Sequence, residues 1–172
     1  PGLGGHCIPI DPYYLTYVAE EHGQQTRMIE LAGEINTSMP AYVVERTLEA
    51  LFERHAEQPA RILILGLAYK PNIDDVRESP SFELIRLFRE AGCEVAYSDP
   101  HVPTTHQMRT WGDPGLKSLE LTAEALASFD AVVVATAHAA FDWDLIAAQA
   151  PLIVDTRNAL AGRTVRGRLV RA

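Results

Sequence analysis

The chain has 172 residues, 47% of them hydrophobic, and its 23 acidic and 15 basic side chains give a net charge of −8. This length suits one compact domain with an appended segment. The acidic balance argues against a nucleic-acid-binding protein, whose affinity would depend on a basic face. Since no apolar run approaches the roughly 20 residues that a membrane-spanning helix needs, a membrane is not an expected partner either.

The start of the chain and its cysteines indicate the setting of the protein. Residues 1–5 contain no methionine, no basic stretch and no apolar stretch, so we expect the chain to be part of a longer protein. Its two cysteines, Cys7 and Cys93, are too far apart in sequence to indicate a disulfide framework or a Cys-x-x-Cys metal site. This cysteine usage is compatible with a reducing cytoplasm, which is the expected location.

Two helices are predicted in the first third of the chain. The first begins at Asp11, whose carboxylate and following proline are typical of a helix N-cap and first turn, and it ends near Gly23. We interpret the tyrosines of this helix as packing residues. Apolar residues then recur at helical spacing over residues 26–54, where Pro40 is expected to kink or split the helix. This long helix is interpreted as a connector or a dimerisation surface within a first unit, residues 1–56.

From residue 57 onward, strands alternate with helices. Apolar runs predict strands at residues 61–66, 94–98, 131–135 and 152–155. Helices are predicted between them at residues 81–91, 122–128 and 143–150. This alternation predicts an α/β unit over residues 57–172, with a doubly wound, mostly parallel Rossmann-like sheet that follows the long connecting helix. The arginines beyond residue 162 are interpreted as a solvated tail.

The glycine-rich loop at the N-terminus carries a candidate catalytic centre. Glycines surround His6 and Cys7, and Asp11 follows Cys7 by four residues. A helix N-terminus just after a cysteine favours the nucleophilic thiolate, and Asp11 is placed to accept a proton from an attacking water. Residue chemistry alone leaves open a buried structural cysteine and a simple helix cap. No zinc site is expected, because the adjacent His6 and Cys7 cannot easily share one tetrahedral ion.

A second candidate region follows the strand at residues 61–66. Loops at the carboxyl end of a parallel sheet bind ligands in α/β folds. Tyr69 and Lys70 offer an aromatic surface and a cation to a nucleotide, and Arg77 suits bidentate phosphate recognition. Ser79 and the proline after it predict the start of a helix whose free N–H groups favour anions. On residue chemistry alone, pairing of Lys70 and Arg77 with neighbouring carboxylates remains the alternative.

Both regions resemble signatures of one family. Residues 4–12 are Gly-Gly-His-Cys-Ile-Pro-Ile-Asp-Pro, and residues 66–80 are Gly-Leu-Ala-Tyr-Lys-Pro-Asn-Ile-Asp-Asp-Val-Arg-Glu-Ser-Pro. In this order, joined by a long helix, they are similar to the two signatures of the UDP-glucose/GDP-mannose dehydrogenase family. The first signature looks closest to that of UDP-N-acetyl-hexosamine 6-dehydrogenases. In UDP-glucose enzymes a lysine commonly precedes the aspartate, and here that position is Ile10.

The resemblance implies roles for individual residues. It makes Cys7 the nucleophile and gives Asp11 a part in activating water. The segment Asp-Thr-Arg that ends in Arg157 is similar to a family segment whose arginine holds the substrate. The positions that match substrate-binding residues are Gly2, Leu3, Gly4, Tyr69, Lys70 and Arg157. The positions that match residues beside the cofactor NAD are Ile8, Pro9, Ile10 and Arg77. Asp99, at another strand end, is expected to have a structural role in its loop.

The resemblance also implies a reaction and partners. The C6 alcohol of a UDP-hexose would be oxidised to a carboxylate with two NAD⁺, through a thiohemiacetal and a thioester on Cys7. The expected partners are a UDP-sugar, an N-terminal NAD-binding domain outside this chain, and further copies in a homodimer or larger homo-oligomer. The chain alone is therefore expected to be inactive. The alternatives are a UDP-glucose 6-dehydrogenase, a non-catalytic UDP-sugar-binding or dimerisation module, and a thiol hydrolase that uses Cys7 with His6.

Overall fold

The computed structural model describes residues 1–5, 7–54, 59–108 and 110–172. Within these ranges the helices are α1 (Asp11–Glu21), α2 (Arg27–Glu53), α3 (Pro80–Glu90), α4 (Ala123–Ala127) and α5 (Trp143–Gln149). The strands are β1 (Arg61–Leu65), β2 (Glu94–Ser98), β3 (Ala131–Val134), β4 (Leu152–Asp155) and β5 (Arg168–Arg171). His6 and the predicted boundary between residues 56 and 57 lie outside the described residues.

The strands form one parallel sheet in the order β2-β1-β3-β4-β5. Side chains of β1 alternate between two cores: Ile62 and Ile64 pack with residues of α2 and α3, and Leu63 and Leu65 pack with residues of α4 and α5. Helices thus cover both faces, which confirms the predicted doubly wound sheet. Since the strand order reverses between β1 and β3, a crevice forms at their carboxyl ends, where such sheets bind ligands.

The C-terminal arginines are not a solvated tail, and that prediction is wrong. Residues Arg168–Arg171 form β5 at the edge of the sheet, and Val170 is buried in the core. The Arg168 Nη1 lies 2.5 Å from the Glu53 Oε2 at the end of α2. The strand escaped detection because only Leu169 and Val170 are apolar, which is too short a run to predict a strand.

The long helix α2 is continuous through Pro40, so the predicted alternative of two separate helices is wrong. Its buried residues are Gly33, Pro40, Val43, Val44, Thr47, Ala50 and Leu51. Apart from Gly33, all of them lie at or beyond Pro40, where the helix packs into the core that also contains α3. The first half of α2 therefore contributes almost nothing to this core.

Two predictions for α1 are also wrong, the second of them only in part. The helix begins at Asp11 itself, and Ile10 occupies the N-cap position without any side-chain hydrogen bond, so Asp11 is not a cap. The second prediction, that the tyrosines pack, fails for Tyr14 and Tyr17, which are 67% and 61% exposed, but it holds for Tyr13, whose ring packs on Gly33 of α2: a Cβ atom there would lie 2.8 Å from the Tyr13 Cζ. In the ranges that the structure describes, no helix combines the length and the apolar composition needed to cross a membrane.

Candidate active site

The glycine-rich loop packs directly against the loop between β1 and α3, so the two candidate regions meet. The Gly5 N–H donates to the Arg77 carbonyl oxygen at 2.8 Å. A Cβ atom at Gly4 would lie 2.6 Å from the Tyr69 Cβ and 2.9 Å from the Glu78 carbonyl oxygen. A Cβ atom at Gly5 would lie 2.9 Å from the Tyr69 ring. Only glycine permits so close an approach, which explains why glycines stand at these two positions.

Cys7 lies in the turn that leads into α1, and its side chain is exposed. The N–H groups of Ile10 and Asp11 both donate to the Cys7 carbonyl oxygen, at 3.1 and 2.8 Å. This turn brings Cys7 and the exposed Asp11 to the same end of the helix. The carboxylate of Asp11 stands in the first helical turn, where the helix dipole favours a negative charge.

The residues between Cys7 and Asp11 present apolar surface. Ile8 is 56% exposed, whereas Pro9 and Ile10 are partly buried. On the other side of the loop, Gly2, Leu3 and Pro9 line a cavity of about 290 Å³. The remaining walls of this cavity come from Tyr13 of α1, from α2, from Glu78 and the start of α3, and from the loop that contains Trp111. Sequence reasoning assigned Gly2 and Leu3 to the substrate but gave no signal for Trp111, whose position depends on tertiary packing.

Tyr69 and Lys70 lie at the tip of the β1–α3 loop. The Tyr69 side chain is partly buried, and its N–H donates to the Asp75 carbonyl oxygen at 3.0 Å. The Lys70 Nζ is 5.5 Å from the centroid of the Tyr69 ring, within cation–π range. Among the described residues no carboxylate forms a salt bridge with Lys70, so the alternative of local charge pairing is not realised there.

Arg77 does pair with a neighbouring carboxylate. Its Nε lies 3.0 Å from both Asp75 carboxylate oxygens, and its Nη2 donates to Oδ2 at 2.7 Å. The hydrogen bond and charge of Asp75 raise the pKa of the Arg77 guanidinium, with smaller contributions from Tyr69 and Cys7. Asp75 therefore fixes the orientation of the Arg77 guanidinium, and the Arg77 carbonyl oxygen binds the glycine-rich loop through the Gly5 N–H.

Arg157 follows β4 in a loop that Asp155 shapes. The Asp155 carboxylate accepts N–H groups from Arg157, Ala159 and Leu160 at 3.0, 3.1 and 2.9 Å. It therefore binds backbone amides, and among the described residues Asp155 and Arg157 form no salt bridge with each other.

A second arginine lies next to Arg157. Arg157 and Arg171 line one open cavity at the carboxyl ends of β4 and β5. Sequence reasoning missed Arg171 as a neighbour of the site because it placed this arginine in a tail. β5 pairs with β4 so that Arg171 lies opposite Asp155, and this pairing brings Arg171 close to Arg157.

Comparison with known proteins identifies the family. Residues 63–162 match the UDP binding domain of the UDP-glucose/GDP-mannose dehydrogenase family, and residues 1–38 match its central domain. A UDP-N-acetyl-D-mannosamine dehydrogenase from Methanococcus maripaludis (strain C7) is 37% identical over 141 residues, which cover 82% of this chain and 30% of that protein. A UDP-glucose 6-dehydrogenase from Haloferax volcanii is 36% identical over 147 residues, which cover 86% of this chain and 31% of that protein.

A solved structure supports the same assignment. The UDP-D-ManNAc dehydrogenase from Pyrococcus horikoshii superposes with a TM-score of 0.78 at 30% identity, over 99% of this chain and 38% of that one. The chain therefore spans roughly a third of the length of the relatives that it matches. Its cysteine loop and its parallel sheet correspond to two successive domains of these dehydrogenases. The chain belongs to the UDP-glucose/GDP-mannose dehydrogenase family.

Proposed function

We propose that this chain supplies the catalytic cysteine and the UDP-sugar-binding domain of an NAD-dependent UDP-N-acetyl-hexosamine 6-dehydrogenase. The contact between the two signature regions carries this proposal: Gly4 and Gly5 pack on Tyr69, and the Gly5 N–H binds the Arg77 carbonyl. An exposed thiol thereby lies in the same cluster of loops as an aromatic ring and exposed cations. In this arrangement residues 1–56 form the catalytic and connecting unit, and residues 57–172 form the sugar-nucleotide domain.

Tyr69 and Lys70 bind the UDP-sugar in this proposal. Lys70 has no salt-bridge partner among the described residues, so its ammonium is available to an anionic nucleotide. Gly2, Leu3 and Gly4 border the sugar in this proposal, and Gly4 lies so close to Tyr69 that a Cβ atom there would be 2.6 Å from the Tyr69 Cβ. Arg157 supplies a further guanidinium from the end of β4.

The chain also has residues that fit contact with a dinucleotide held elsewhere. Ile8, Pro9 and Ile10 offer an apolar segment beside Cys7, and Arg77 remains exposed despite its bond to Asp75. NAD⁺ held beside these residues would supply the hydride acceptor for both oxidations. Contact between these residues and NAD⁺ is compatible with a cofactor whose main binding domain lies outside this chain.

Cys7 carries the covalent step. Its thiolate adds to the C6 aldehyde left by the first oxidation, which forms a C–S bond and a thiohemiacetal. Loss of a hydride and a proton from this adduct gives a thioester. Asp11 helps to remove a proton from water, which attacks the thioester carbonyl. The C–S bond then breaks, the uronate leaves, and the thiol is regenerated. Because the aldehyde is held covalently, it is not lost between the two oxidations.

The exposed apolar side chains of α1 and of the first half of α2 support the proposed partners. They include Tyr14, Leu15, Tyr17, Val18, Met28, Leu31 and Ile35, each at least 48% exposed. Numerous exposed apolar side chains on neighbouring helices are typical of protein–protein contacts. We assign it to a homo-oligomer or to the NAD-binding domain.

The decisive test counts NADH per sugar in the complete enzyme that contains this chain. Two NADH per UDP-N-acetylmannosamine or UDP-N-acetylglucosamine are expected, and none from the 172-residue chain alone. UDP-glucose run in parallel tests the second candidate, which the name of the Haloferax volcanii relative favours. One NADH per sugar would remove the covalent role of Cys7. No NADH from any nucleotide sugar would favour the alternative that the chain belongs to a non-catalytic binding module.

Replacement of Lys70 tests the sugar-nucleotide site in this chain itself. We expect Lys70→Ala to weaken UDP binding at least roughly tenfold in isothermal titration calorimetry, because a charge-assisted contact to phosphate is lost. Lys117→Ala is the matched control: it removes the only other lysine, which is exposed in the loop before α4. Equal affinities in the two variants would show that Lys70 does not contact the nucleotide.

A further inference from the structure

A buried carboxylate closes the carboxyl end of the sheet. Asp99 follows β2, and its side chain is completely buried. Its Oδ2 accepts the Leu67 N–H at 2.6 Å and the Ala68 N–H at 3.0 Å. Its Oδ1 accepts the N–H groups of His101 and Val102 at 2.8 and 3.1 Å. Four backbone amides from two loops thus converge on one anion, which confirms and extends the structural role expected for Asp99.

His138 links this carboxylate to the middle of the β1–α3 loop. Its Nδ1 accepts the Asn72 N–H at 2.9 Å, so the ring proton must be on Nε2, which donates to the Asp99 Oδ2 at 3.0 Å. The Asn72 side chain in turn accepts the Ala139 N–H at 2.8 Å. Asn72 has a φ of 63°, a left-handed conformation that asparagine tolerates better than most residues.

The network occupies the place where α/β sheets bind phosphate. In nucleotide-binding sheets, free N–H groups after the first strand bind a phosphate in the crevice at the reversal of strand order. Here the Leu67 and Ala68 N–H groups are satisfied by Asp99. The Thr136 Oγ1 donates to the Ala68 carbonyl at 2.6 Å from the opposite side of the crevice. The Asp99 carboxylate therefore occupies the position that the phosphate of a ligand takes in such sheets.

The charge of this anion is maintained despite its burial. Burial by itself raises the pKa of the Asp99 carboxyl, but the hydrogen bonds from His138, His101, Ala68 and Leu67 together lower it below the usual value. A carboxylate in this position holds both neighbouring loops through charge-assisted hydrogen bonds.

We propose that Asp99 and His138 are positioning residues of the UDP-sugar site. Leu67 and Ala68 precede Tyr69 and Lys70, and Asn72 follows them, so the network holds both ends of the segment that carries the two ligand-contacting side chains. The nucleotide is then received on the outer side of this loop, facing the glycine-rich loop, and not in the crevice. This role rests on the proposed function, which assigns Tyr69 and Lys70 to the UDP-sugar.

Chemical rescue of Asp99→Ala in the 172-residue chain tests this role. The variant leaves four amides and the His138 Nε2 around a void of carboxylate size. We expect UDP affinity to fall at least roughly tenfold and sodium formate to restore most of it, while sodium chloride at equal ionic strength does not. Hydrogen exchange should report the same pattern: the Leu67, Ala68 and Asn72 amides lose protection and regain it with formate. Should Asp99→Ala fold only in formate, the UDP affinity of Asp99→Asn measures the positioning role instead.

Leu126→Ala is the control for a general loss of stability. Leu126 is fully buried in the core on the α4–α5 side of the sheet, and its side chain is not part of the hydrogen-bond network. We expect this variant to keep wild-type UDP affinity and to show no response to formate. Asp99→Asn, which keeps the side-chain volume, should lose UDP affinity without formate rescue, because no void remains.

The outcomes separate this role from the proposed function. A wild-type chain that does not bind UDP would overturn the assignment of Tyr69 and Lys70. Normal UDP binding by Asp99→Ala without formate, or an equal loss of affinity in Leu126→Ala, would overturn the positioning role alone.

Discussion

Cys7→Ser is expected to lower uronate formation by the complete enzyme by at least roughly a thousandfold, the scale on which loss of a covalent nucleophile acts. A serine hydroxyl is far less acidic than a thiol, so it does not capture the aldehyde at neutral pH. Oxidation should stall after the first step, and NADH per sugar should fall from two to one or fewer. Since the Cys7 side chain is exposed, the thermal unfolding midpoint should change little.

Cys93→Ser is the matched control for this result. Cys93 precedes β2 and is buried, and burial raises the pKa of its thiol. Its replacement is expected to cost about 1–3 kcal/mol of stability because a hydroxyl is buried without an assured partner, while uronate formation per folded molecule stays unchanged. Wild-type uronate formation by Cys7→Ser would instead refute the covalent mechanism and leave the binding-module alternative.

The fold was predictable where burial is complete. Strands β1, β3 and β4 are apolar runs because both faces of a parallel sheet are covered, and α3 follows a serine N-cap whose Oγ accepts the Ser81 N–H at 3.3 Å. β5 was not predictable in this way, since an edge strand with two apolar residues has no periodic signal. Asp11 was misread as a cap because sequence does not separate the cap position from the first helical residue.

The candidate site was predictable only in part. Resemblance placed Cys7 and Tyr69 in one site, and the structure shows the glycine contacts between their loops. The network of Asn72, Asp99 and His138 joins three loops that are distant in sequence, and no spacing rule connects them. A signal did exist, because Asp99 and His138 each follow a parallel strand and such strand ends meet at one edge of the sheet. Which atoms of this network form hydrogen bonds with one another could be learned only from the three-dimensional structure.

Gly66→Ala is expected to destabilise the chain by about 3 kcal/mol or more in urea unfolding. Gly66 has a φ of 86°, and an added Cβ would lie 2.4 Å from the Thr136 carbonyl oxygen and 2.5 Å from the Thr136 Cβ. Thr136 cannot retreat easily, because its N–H donates to the Leu65 carbonyl at 3.0 Å and its hydroxyl donates to the Ala68 carbonyl. Backbone strain at residue 66 and steric overlap with Thr136 therefore both destabilise the Gly66→Ala variant.

Gly92→Ala separates these two effects. Gly92 has a φ of 81°, but an added Cβ would meet no atom within 4 Å, so only the backbone strain of about 1–2 kcal/mol is expected. The difference between the two variants measures how tightly Thr136 closes the crevice between β1 and β3. Equal losses would mean that the turn relaxes freely around an added methyl group. Because the Thr136 hydroxyl binds the Ala68 carbonyl, that result would mean that Thr136 does not help to fix the start of the Tyr69–Lys70 segment.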